Sequence, residues 1–79
     1  MKKFNVYLKE VFDLLMNGYD QSPNGTIEIS DHLLDGGGKL MSALIGNVIK
    51  DSGEYELMDW GEDWMLYSDG KHEVVVVPA

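Results

Sequence analysis

The chain of 79 residues has no cysteine, no arginine and only two prolines. Without cysteine there are no disulfides, thiolate metal ligands or thiol nucleophiles, so a domain this small must be held by its core alone. Without arginine, six lysines face eight Asp and six Glu, for a net charge of −8 and a pI near 4.4. Direct binding to nucleic acid requires cationic side chains to neutralise phosphates, and a field of this sign repels them. No apolar run approaches the roughly 20 residues needed to span a bilayer. The Met1-Lys2-Lys3 start leads into Lys9, Glu10 and Asp13 rather than the unbroken apolar stretch of a secretory signal, so the expected compartment is the cytoplasm.

What is present is core material. Hydrophobic residues make up 44% of the chain, with two Trp, four Tyr and two Phe, too much for a chain kept disordered by low hydrophobicity. The length suits a single domain over residues 1–79, and a fold of this size buries only roughly 60% of its unfolded surface. That leaves little room for an interior catalytic cavity.

Phe4, Leu8, Val11, Phe12 and Leu15 recur at helical spacing, which predicts a helix from Lys3 to Asn17 stopped by Asn17-Gly18. The turn formers from Gly18 to Gly25 predict a loop, and the alternating Thr26 to Ser30 a short strand. Ser30 or Asp31 could cap a helical turn through His32 to Leu34, before the glycines at 36 to 38. Leu40, Met41, Leu44, Ile45, Val48 and Ile49 then predict a second helix from Lys39 to about Asp51, ended by Ser52-Gly53. The rest divides into three antiparallel strands, Glu54 to Asp59, Trp64 to Ser68 and His72 to Val77. Asp69-Gly70 marks a two-residue hairpin turn between the last two. That turn sets Leu66 opposite Glu73, Trp64 opposite Val75, Met65 opposite Val74 and Tyr67 opposite His72. The preferred core face is Tyr55, Leu57, Trp64, Leu66, Val75 and Val77, which a one-residue change of register would exchange for the other. The expected fold is therefore α+β, with two main helices on a three-stranded antiparallel sheet and the 26–30 strand as a possible fourth at its edge.

The charge is unevenly distributed: +2 over residues 1–10, −3 over 11–50 and −7 over 51–79. The last segment holds Asp51, Glu54, Glu56, Asp59, Glu62, Asp63, Asp69 and Glu73, interleaved with Tyr55, Met58, Trp60, Trp64, Met65 and Tyr67. Crowded carboxylates destabilise a small fold but attract cationic partners, and aromatics with Met favour interface cores. The eight acids, with Trp60 and Tyr67, are the candidate partner-binding residues. The expected partner is a basic nucleic-acid-binding protein or complex, met by a monomer with no direct contact to nucleic acid or membrane.

Catalytic signatures are missing. His32 near Asp31 and Asp35, and His72 after Asp69, lack paired metal-ligand spacing, and Asp59 to Asp63 lacks an EF-hand pattern, so neither metal nor cofactor is expected. Asp35-Gly36-Gly37-Gly38-Lys39-Leu40 lacks the earlier glycine and the Ser or Thr of a phosphate loop, and suits a flexible connection. No nucleophile elbow or Ser, His and acid grouping stands out. The chain is expected not to be an enzyme.

Two resemblances bear on function. The order helix, short strand, helical turn, helix, hairpin resembles a winged-helix domain, with Leu40 to Lys50 in place of the recognition helix and Trp60 to Asp63 or Asp69-Gly70 near the wing. This implies a DNA-binding or transcription-regulatory protein using the helix at 39–51, although that helix offers only Lys39, Ser42, Asn47 and Lys50 to DNA. In its size, lack of cysteine, acidity and acidic antiparallel meander, the chain also resembles phage-encoded DNA-mimic inhibitors, the class of uracil-DNA glycosylase inhibitors, anti-restriction proteins and some anti-CRISPR proteins. That resemblance implies stoichiometric occupation of the basic nucleic-acid site of a host defence or repair complex, in the host cell cytoplasm. It is the leading expectation, with the winged-helix regulator as alternative.

Overall fold

The computed structural model describes residues 2–30, 38–50 and 54–79. Its elements in chain order are β1 (Lys2–Leu8), α1 (Lys9–Met16), β2 (Gly25–Ile29), α2 (Gly38–Ile49), β3 (Glu56–Trp60), β4 (Met65–Ser68) and β5 (Glu73–Pro78). The strands form one five-stranded sheet in the order β2-β1-β5-β4-β3, with every neighbouring pair antiparallel. The α+β class stands, but the sheet has five strands rather than three. The 26–30 strand is a full edge strand as β2, and the winged-helix order fails at its first element.

That first element is a strand because Phe4, Val6 and Leu8 alternate with Lys3, Asn5 and Tyr7, a pattern that overlaps the helical stripe beginning at Phe4. The C-terminal valines decide between the two. Val74, Val75 and Val76 are all buried, which requires a partner strand on each side and cover on both faces, and β1 supplies one of those partners. Helix therefore starts only at Lys9, directly from the strand, without a side-chain cap at Leu8. Asn24 secures the junction: its Oδ1 accepts from the Leu8 N–H at 2.9 Å, and its own N–H donates to the Val6 carbonyl at 2.8 Å. The expected stop at Asn17-Gly18 is present. Gly18 takes φ +93°, while the Tyr19 N–H reaches the Leu14 carbonyl and the Gly18 N–H that of Leu15, the paired bonds of a Schellman ending.

Strand pairing assigns the two faces. Phe4, Val6, Ile27, Ile29, Val74, Val76 and Tyr67 share one face, and α2 covers it with Met41 and Ile45. The stripe of α2 is as expected except that Leu40 is exposed and Leu44, Val48 and Ile49 are only partly buried. Lys50 ends the helix in the left-handed region at φ 63°, and its N–H still donates to the Gly46 carbonyl. Ser42 Oγ accepts from the Tyr55 N–H at 2.8 Å, tying α2 to the approach to β3. On the second face the shorter α1 packs on β1 and β5, and Phe12 meets the buried Tyr7 edge-on at 5.6 Å.

The hairpin register departs from expectation by two residues. Leu66 pairs with Val75, Met65 with Val76, Tyr67 with Val74 and Ser68 with Glu73, so residues 69–72 make a four-residue loop instead of a two-residue turn. The core face also differs. Of the expected set, Tyr55 and Val75 are buried, Val75 on the α1 side, while Leu57 and Trp64 are exposed and Leu66 and Val77 only half-buried. Tyr67, Val74 and Val76 take the α2 side, with Met65 partly buried there, because that is where the longer helix lies. The helical turn expected at His32 to Leu34, the glycines at 36 and 37 and the expected stop at Ser52-Gly53 lie outside the described residues, and α2 ends at Ile49, short of the expected Asp51.

Candidate functional site

Five of the eight candidate acids lie on β3 or in the segments that flank it, at one end of the sheet. β3 is an edge strand, and every one of its residues, Glu56, Leu57, Met58, Asp59 and Trp60, is exposed. The pairing of β3 with β4 slips between Leu57 and Asp59, leaving Met58 as the extra residue of a bulge. Because of that slip, Leu57 and Trp60 stand opposite Tyr67 and Met65 on the α2 side, while Glu56 and Asp59 stand opposite Ser68 and Leu66 on the other. The strand is thus sorted into an apolar side and an acidic side. This sorting is invisible in the sequence, where residues three apart in a strand fall on opposite faces.

The β3–β4 turn adds Glu62 and Asp63, both exposed, and Glu54 is exposed just before β3. Trp60 is 66% exposed and Trp64 37%. The turn is closed by a bond from the Gly61 N–H to the Trp64 carbonyl at 2.9 Å. A Cβ at Gly61 would overlap the Trp64 ring, 2.6 Å from Cε2 and 2.8 Å from Cδ1, so a larger residue there would displace the Trp64 side chain. Among the described residues, none of Glu54, Glu56, Asp59, Glu62 and Asp63 forms an ion pair; the lysine pairs are Lys3 with Glu28 at 3.5 Å and Lys9 with Asp13 at 3.0 Å. Five carboxylates therefore remain unneutralised around Leu57, Met58 and Trp60.

The other expected site residues fall elsewhere. Tyr67 lies in the core, its hydroxyl 3.8 Å from Met65 Sδ, and burial raises its pKa. Asp51 is outside the described residues. Glu73 shares the Glu56 face, two strands away, and contributes to an open groove of about 310 Å³ beside the start of α1, also lined by Lys9, Asp13, Lys71 and His72. There the Asp13 carboxylate, hydrogen-bonded to the Lys9 ammonium, raises the Lys9 pKa, with a smaller contribution from Glu73.

Asp69 is a structural residue. Its side chain is 3% exposed, and Oδ1 accepts the His72 N–H at 2.7 Å and the Lys71 N–H at 2.8 Å, which builds the four-residue loop. Those two backbone donors, His72 first, hold its carboxyl below the ordinary value of 3.8, and the His72 ring, 3.6 Å away, adds to the effect. Since the folded pKa lies below the unfolded one, the stabilisation is complete above about pH 3.8 and is lost as pH falls through the folded value. Denaturant titrations across pH of the native chain and Asp69→Ala are expected to show a constant stability gap at neutral pH that closes in acid; a gap that persists there would show that the charged carboxylate is not what holds the loop.

Leu57, expected in the core, is exposed beside the carboxylates, and so is Met58, which is absent from the expected binding residues. The local signal was β3's run of acids and large apolar residues beside Gly61. Among the described residues, no three His, Asp or Glu side chains are grouped to hold a metal ion, and no helix is long and apolar enough to cross a membrane. No protein family, curated protein or solved structure matches the chain.

Proposed function

We propose that this chain is a non-enzymatic binding protein that places the β3 edge and the β3–β4 turn against a basic, nucleic-acid-binding surface of another protein or complex. Its action is that of an inhibitor: carboxylates take the places of phosphates and exclude the nucleic acid. A host defence or repair complex, the target of the phage-encoded DNA mimics it resembles, is the partner class. The observation that carries this reading is the group of unpaired carboxylates at Glu54, Glu56, Asp59, Glu62 and Asp63 around the exposed Leu57, Met58 and Trp60. A purely solubilising surface has no need of exposed tryptophan, whereas an interface gains both long-range attraction and desolvated contact area from the combination.

The test is recovery from a prokaryotic lysate by the tagged chain, with and without competing DNA. The native chain is expected to retain a basic nucleic-acid-binding complex that DNA displaces. A variant carrying Glu54→Gln, Glu56→Gln, Glu62→Gln and Asp63→Asn is expected to bind the recovered complex about 10- to 100-fold more weakly, at several tenths of a kcal/mol per charge. Equal binding by the variant, or indifference to DNA, would reduce the acidic end to a solubility feature.

A further inference from the structure

We propose that the partner docks on β3 by strand addition, and that the added strand alternates basic with apolar residues. This rests on the function proposed above and specifies its geometry. Among the described residues nothing pairs with the outer side of β3, which closes the sheet at that end. A free edge offers a row of backbone donors and acceptors, and an extended segment can complete the sheet on it, with alternate side chains setting specificity.

The side chains of β3 define the partner. Glu56 and Asp59 point to one face of the sheet, and Leu57 and Trp60 to the other. A strand laid alongside meets carboxylates on one of its faces and apolar side chains on the other, so its complement carries Lys or Arg at every second position with Val, Ile or an aromatic between them. A second copy of this chain is the wrong occupant. Antiparallel pairing of β3 with itself extends the sheet and brings the Glu56 and Asp59 face of one copy beside the same acidic face of the other, and like charges across a strand pair are destabilising. The edge also guards itself: the Trp60 N–H donates to Asp59 Oδ1 at 2.8 Å. A cationic side chain that draws the Asp59 carboxylate towards itself frees that donor for the incoming strand, whereas a neutral strand does not.

The probe is a short blocked peptide alternating arginine and valine, compared with the same peptide N-methylated on the backbone along one edge or the other. N-methylation keeps the charge and removes the hydrogen bonds. The unmethylated peptide is expected to bind the full chain, to slow amide exchange on the outer side of β3, and to lose at least about tenfold in affinity when the edge facing β3 is methylated, the loss of two or three backbone hydrogen bonds. Equal binding of all three peptides without protection of β3 would overturn strand addition and leave the acidic docking surface standing. Failure of every peptide to bind would also overturn it, as would β3 protection that grows with protein concentration in the absence of peptide. The lysate comparison with the neutralised variant reports on the acidic surface independently of these outcomes.

Discussion

Replacing Ile45 with alanine is expected to destabilise the chain by about 3–4 kcal/mol, within the range measured for large-to-small changes at fully buried aliphatic positions. Ile45 is completely buried, with Met41 one turn before it, where α2 covers the face that carries Val6, Val74 and Val76. The loss combines the transfer of the missing carbons with an unfilled void, since the sheet beneath is held by its own ladder and cannot close onto a shorter side chain. A chain of 79 residues has roughly 0.05–0.15 kcal/mol of stability per residue, so this single change removes a large share of the total. Leu40→Ala, on the exposed side of the same helix, is expected to change stability by less than about 1 kcal/mol. Chemical denaturation followed by tryptophan fluorescence measures both. A loss under about 1 kcal/mol at Ile45 would mean that α2 is not seated on the sheet as described.

Tyr67→Ala against Leu57→Ala tests which part of the α2 side of the sheet is core. The two residues are cross-strand neighbours on the α2 side, yet Tyr67, on the inner strand β4, is 6% exposed and Leu57, on the edge strand β3, 46%. Removing the Tyr67 ring is expected to cost about 3 kcal/mol or more, by analogy with buried aromatic truncations, whereas Leu57→Ala should remain within about 1 kcal/mol. The reverse ranking would mean that Leu57, not Tyr67, is the core residue on that side. A pH arm separates the ring from its hydroxyl. Burial raises the Tyr67 pKa above 10.0, so the folded state disfavours the phenolate, and the stability fully present below pH 10.0 is lost as pH rises above it through the folded value. Tyr67→Phe is expected to lose less stability than the native chain above that pH; identical alkaline curves would contradict burial of the hydroxyl.

The three regions that differ from expectation share a cause. Phe4 to Leu8 satisfies both a helical stripe and a strand alternation, and nothing within five residues chooses between them; the choice is made by Val74 to Pro78, some seventy positions away, which need a strand to pair with. Asp69-Gly70 does reverse the chain, and Gly70 adopts the positive φ of 89° that the pair favours. Yet the Asp69 carboxylate collects the Lys71 and His72 N–H groups, which lengthens the loop and moves the pairing by two residues. Met58 looks like any alternating strand residue until its bulge places Glu56 with Asp59 and Leu57 with Trp60.

The residues themselves determined the absence of cysteine chemistry, the acidic charge and its concentration after residue 50, the α2 stripe and the stop at Asn17-Gly18. Each of these follows from composition or from contacts within one turn of chain. The tertiary structure alone decided that β1 is a strand between β2 and β5, which face of β4 and β5 receives α2, and which carboxylates share an exposed edge with tryptophan. Those outcomes depend on pairing between distant segments and on which helix is long enough to cover which face. Neither energy is contained in any local stretch of the sequence.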